Sequence, residues 1–113
     1  MIDPEKLARG IELFNAQEFF AAHEELEDVW RETPGDERRP MQGLVQVAVA
    51  FHHHSTGNLT GASSVLERAA RNLSTGEHLH GIELEPLRES LRQWREALAS
   101  GVATPEYPKL ARR

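Results

Sequence analysis

The sequence contains no cysteine, which removes disulfides, thiolate zinc sites and a cysteine nucleophile from consideration. Basic residues are the minority: the net charge is −5, and the pattern suggests no Lys/Arg cluster on any one element. Phosphate backbones need a dense positive face, so nucleic acid is not expected as a partner. Long apolar runs are missing too. The longest, "LVQVAVAF", is too short and too polar at Gln46 to cross a bilayer, and "MIDPEKLARG" has no apolar stretch behind a basic start. These features predict a soluble, cytoplasmic protein with no membrane partner. Repeats, low-complexity tracts, glycine-rich phosphate loops and nucleophile elbows are absent as well.

What remains reads as helix. At 113 residues the chain fits one domain that buries roughly 65% of its unfolded surface. Asp3-Pro4 starts a first helix carrying Leu7, Ile11 and Phe14 on one stripe to about Asn15. Asn15 and Glu18 have capping-box spacing for a second helix, which "TPGD" ends. A third runs from near Pro40 to Gly57. A fourth, from Asn58, bears Ala62, Val65, Leu66, Ala69 and Leu73. After the loop "STGEHLHG", the residues Leu84, Leu87, Leu91, Trp94 and Leu98 define a fifth. No stretch alternates convincingly as a strand. The expectation is an all-α, single-domain bundle of about five helices over residues 1–113, with residues 102–113 an extended tail. Helix three, apolar almost all round, is expected at the centre, with Leu44, Val47, Val49 and Phe51 deeply buried.

Two sets of polar residues sit where this scheme expects apolar ones. On the wheel of helix two, His23 and Glu27 fall between Trp30 and Phe20, inside the apolar sector, whereas Glu24, Glu25 and Asp28 lie outside or at its margin. On helix three, Gln42, Gln46 and His53 form a narrow polar stripe. The adjacent Gly43 and Ala50 would admit a close neighbour, for which helix two is the natural candidate. The spacing thus predicts that His23, Glu27, Gln46 and His53 converge in a partly buried pocket between helices two and three. A buried, unpaired Glu27 would cost several kcal/mol, so it must be protonated, paired, hydrated or metal-bound.

Two readings of that pocket follow. In the first, the residues form a satisfied hydrogen-bond network, with Arg31 or Arg39 supplying charge, that fixes helix register or holds a small-molecule ligand; the apolar remainder of the surface would then serve a homodimer or a partner protein. In the second, His23, Glu27 and His53 ligate a divalent metal such as zinc with positions open to water, and Glu24 or Glu27 acts as general base in a hydrolase. His23-Glu24 starts like a metalloprotease helix motif, but Glu27 stands where its second histidine belongs. Of the triplet His52–His54 only His53 joins the stripe; the other two read as cations near a helix C-terminus. His78 and His80 read as exposed loop residues, and Trp30 and Trp94 as core.

The blocks "FNAQEFFAAHEELEDVWR", "QGLVQVAVAFHH" and "GNLTGA", in that order over roughly Phe14 to Leu73, resemble the bacterial and archaeal family called domain of unknown function 309. The resemblance implies an all-helical fold and the label of predicted metal-dependent hydrolase. It transfers interest to His23, Glu24, Glu27, Trp30, Arg31, Gln42, Gly43, Gln46, His53, Gly57, Asn58 and Gly61, with Trp30, Arg31, Gln42, Gln46 and Asn58 as ligand-binding candidates. At position 52 a histidine stands where relatives often carry tyrosine.

Overall fold

A computed structural model of the protein describes residues 1–113. Five helices follow one another: α1 (Pro4–Asn15), α2 (Phe19–Arg31), α3 (Arg38–Ser55), α4 (Leu59–Asn72) and α5 (Leu84–Ser100), with a 3-10 turn Gly35–Glu37 before α3. Each packs on its neighbour in sequence. α3 lies in the middle between α2 and α4, and its Phe51 reaches Trp94 of α5 at 4.9 Å between ring centroids. The radius of gyration, 13.0 Å, is close to the value of about 13 Å for one compact domain of this size.

The helix ends follow from local chemistry. Asp3 Oδ1 accepts from the Glu5 and Lys6 amides and Pro4 opens the helix, which starts α1 as the sequence suggested. α2 starts differently from expectation: its N-cap is Glu18, and no side chain caps it. The turn is set instead by the end of α1, where Gln17 N–H bonds Phe14 O and Glu18 N–H bonds Leu13 O, with Gln17 left-handed at φ 65°. This is the Schellman pattern, in a residue that lacks glycine's freedom. Asn15 is released from capping and acts elsewhere.

Small residues set the helix spacing. A Cβ on Gly10 would meet Leu26 at 2.7 Å, and one on Gly43 would meet Leu73 at 2.7 Å and the Ala69 carbonyl at 3.2 Å. The close approach at Gly43 is therefore to α4, where α2 was expected. Leu44, Val47 and Phe51 are fully buried, but Val49 is only half-buried, packed against the margin of the core.

"STGEHLHG" is not plain loop. His78–Leu79 and Ile82–Glu83 form a two-residue-per-strand hairpin, β1 and β2, turned by His80 (φ 50°) and Gly81 (φ 83°). Positive φ at both central positions is the type I′ signature, and the strands are too short for alternation to reveal them. Residues 102–113 then return across the bundle without helix. Trp94 Nε1 donates to Glu106 O; Tyr107 stacks on Trp94 at 5.1 Å; Glu83 N–H reaches Ala111 O and Arg113 N–H reaches Gly81 O. Asn15 exchanges two hydrogen bonds with the backbone of Leu110, at 2.7 and 3.1 Å, and Leu110 itself is buried.

Candidate functional site

The buried arc of α2 consists of Phe19, Ala22, Leu26 and Val29. Around the wheel from that arc, Trp30, His23, Glu27 and Phe20 come in turn; the first three are half-buried and Phe20 is 54% exposed. His23 and Glu27 thus stand on the shoulder of the helix, and the apolar sector stops short of the Phe20 edge that the sequence assigned to it. Glu24 is exposed.

On the shoulder, Glu27 is ion-paired with Arg31, which also holds Asp28 at 2.7 Å. Asp28 in turn bonds Lys6 at 2.7 Å. The Lys6 hydrogen bond, aided by the charges of Lys6 and Arg31, keeps the Asp28 carboxyl below its usual range despite the opposing effect of desolvation. Of the options open to Glu27, pairing is the one adopted, and with 38% of its side chain exposed the group needs no metal to be stable.

The histidines can be assigned from their partners. His23 Nδ1 lies 2.6 Å from Phe20 O; a carbonyl only accepts, so Nδ1 carries the proton and Nε2 a free lone pair. His53 is the reverse. Asn58 Oδ1 accepts the Gly61 N–H at 2.9 Å, which turns the Asn58 Nδ2 amide toward His53 Nδ1 at 3.3 Å. That amide can only donate, so in the neutral ring Nδ1 is the occupied acceptor and Nε2 bears hydrogen. His52, expected to be a bystander, is the imidazole nearest α2: its ring centroid is 5.2 Å from that of Phe20, which is 4.9 Å from His23. His53 lies one ring further on, 6.3 Å from His52.

The polar stripe of α3 turns the other way. Gln46 Oε1 accepts from Asn72 Nδ2 of α4 at 2.8 Å, and Asn72 Oδ1 accepts from Arg39 Nε at 3.0 Å. Gln42 is exposed. The expected convergence of His23, Glu27, Gln46 and His53 between α2 and α3 is not what these bonds describe: Gln46 belongs to the α3–α4 seam, His53 to the α3–α4 corner, and Glu27 to an ion-pair chain running to α1. A metal fits this arrangement poorly. No group of three His, Asp or Glu side chains is placed to hold one ion; Glu27 is committed to Arg31, and His53 would have to shift its proton and lose Asn58 to offer Nε2. Only His23 presents the lone pair of a ligand.

The corner explains "GNLTGA". Gly57 at φ 86° ends α3, with Gly57 N–H on His54 O and Asn58 N–H on His53 O, and Asn58 then caps α4. Gly61 leaves room for that cap, since a Cβ there would meet Asn58 Nδ2 at 2.5 Å. At the far end of α2, the Arg38 guanidinium lies 4.3 Å over the Trp30 ring, and Trp30 Nε1 is buried with no hydrogen-bond partner. Trp94, by contrast, is core as expected. His78 and His80 are half-buried where exposure was expected, and His80 Nε2 lies 3.3 Å from the buried Thr33 hydroxyl. Thr33 O–H already donates to Val29 O, so His80 donates to it.

One face of α5 carries a basic stripe that the expected absence of Lys/Arg clusters did not include. Arg88, Arg92 and Arg95 recur at i, i+4 and i+7 on α5 and line a cleft beside α4; that spacing was the available signal, hidden by the acidic total.

The fold defines the class as a small all-helical bundle whose polar side chains are tied into caps and seams. Residues 7–65 match the model of a family described as domain of unknown function (DUF309), and the chain belongs to that family. It is 36% identical over 69 residues, 60% of its length, to the uncharacterized protein YpuF of Bacillus subtilis (strain 168). It is 29% identical over 82 residues, 71% of its length, to an uncharacterized protein of Aquifex aeolicus (strain VF5). These alignments span 39% and 25% of the two relatives. No helix is long and apolar enough to cross a membrane.

Proposed function

We propose that this is a cytoplasmic, non-catalytic binding domain in which the polar residues of α2 and α3 set helix pairing, and whose half-exposed rim of His23, Trp30 and Arg31 meets a small-molecule ligand. The observation that carries this reading is the chain His53–Asn58–Gly61, in which one amide caps α4 and occupies the ring nitrogen of His53. A residue engaged in this way serves register. Glu27 with Arg31, and Gln46 with Asn72, follow the same logic.

Elemental analysis of tag-free protein incubated with zinc, iron(II) or nickel tests it. The expected result is no stoichiometric metal, a melting temperature unmoved by chelator, and a His53→Ala variant destabilised equally with and without chelator. One bound metal per chain, lost in His53→Ala, would overturn the reading in favour of a metal-dependent hydrolase using His23, Glu27 and His53.

A further inference from the structure

The protein is electrically lopsided. Residues 1–37 hold eleven carboxylates and three cations, whereas residues 38–113 hold seven carboxylates and ten cations. Part of that excess gathers on α4 and α5. Arg88, Arg92 and Arg95 border a cleft of about 200 Å³ with Ser74 beside them, over a floor of Ala70 and Leu91.

The guanidiniums differ in what they have left to give. Arg88 is spent: it donates to the carbonyls of Leu73, Thr75 and Gly76 and to Glu85, which closes the C-terminal end of α4. Arg95 gives Nε and Nη2 to Glu67 and keeps Nη1. Arg92 pairs with Glu89 through Nη1 and keeps Nε and Nη2. Arg71, one turn along α4 from Glu67, contributes to lowering the pKa of that carboxyl, behind Arg95. Its carbonyl accepts from the Ser74 hydroxyl, and its side chain stands outside the cleft lining.

Unspent N–H donors from two arginines, Arg92 and Arg95, on one small cleft suit a tetrahedral oxyanion, because each guanidinium can offer N–H groups to its oxygens. The volume is below the roughly 300–1,000 Å³ of pockets for drug-sized ligands, so the ligand is small. We infer that the cleft between α4 and α5 binds a phosphate dianion, free or as the monoester of a small metabolite, through Arg92 and Arg95.

The test is an amide NMR titration with sodium phosphate, and separately with glycerol 3-phosphate, at constant ionic strength and above the second phosphate pKa of about 6. The expected result is saturable shifts confined to Ala70, Ser74 and the Leu91–Arg95 turn. Tighter binding of glycerol 3-phosphate identifies a monoester ligand, and tighter binding of phosphate identifies the free ion. Arg92→Ala should weaken binding about tenfold or more, and Arg92→Lys less, since charge survives but the fork does not. The Arg92 side chain is solvent-facing, and far-UV circular dichroism checks the fold; Arg92→Glu provides a second, charge-reversed variant. Shifts that rise without saturation, that sodium chloride reproduces, or that persist unweakened in these variants would overturn the proposal.

Discussion

Asn58 serves two helices with one side chain: its oxygen caps α4 and its amide fixes the proton of His53, while its backbone N–H closes α3. Asn58→Ala removes the cap and leaves His53 Nδ1 without its donor, so we expect a loss of about 1–2 kcal/mol of stability by urea denaturation. Asn58→Asp keeps the cap but not the amide and should fall between the two. Much of this was legible as residue type: "GN" marks a helix end followed by a helix start. What the letters could not give was direction. A wheel ranks His53 beside Gln46, but only the corner geometry decides that His53 turns to Asn58 and Gln46 to Asn72. Likewise the placement of His23 and Glu27 inside the apolar sector failed because the buried arc of α2 ends before Trp30, and a wheel drawn from letters cannot say how wide the covered arc is.

At the scale of elements, the helices, their order and the central place of α3 follow from apolar periodicity and from Pro and Gly punctuation, and these were readable throughout. Partner choice was not. Gly43 was read as a point of close approach, correctly, but toward α2; the residue it accommodates, Leu73, lies at the end of α4. A methyl group there would press on both the Leu73 side chain and the Ala69 carbonyl, and backbone does not yield as a side chain does. Gly43→Ala should therefore destabilise the domain by about 1–3 kcal/mol, measured by thermal or urea unfolding, although alanine is the better helix former at an exposed site. The hairpin was missed because two residues per strand carry no period, and Asn15 was assigned a capping role it does not have because its true partner, Leu110, is distant in sequence.

For the whole molecule, the segment 102–113 is a strap. Tyr107 lies against Phe19, Phe51, Trp94 and His54, with its hydroxyl 2.6 Å from His54 Nδ1; burial raises its phenol pKa, so the hydroxyl keeps its proton at neutral pH. Leu110 fills the core beyond it. Leu110→Ala should cost about 2–5 kcal/mol and loosen the strap before the helices, so that Trp94 fluorescence shifts at lower denaturant than the helical circular dichroism signal. Coincident transitions would show instead that strap and bundle form one cooperative unit.

The Asn15–Leu110 pair also has a temporal meaning. Its two halves are 95 residues apart, so on a ribosome the amide of Asn15 is ready long before its backbone partner exists. α1 to α4 can pair as they emerge, because each contacts the one before it, but the ring around Trp94 stays open until Tyr107 and Leu110 have cleared the exit tunnel. Closure of the core thereby waits on a segment made well after the helices it closes.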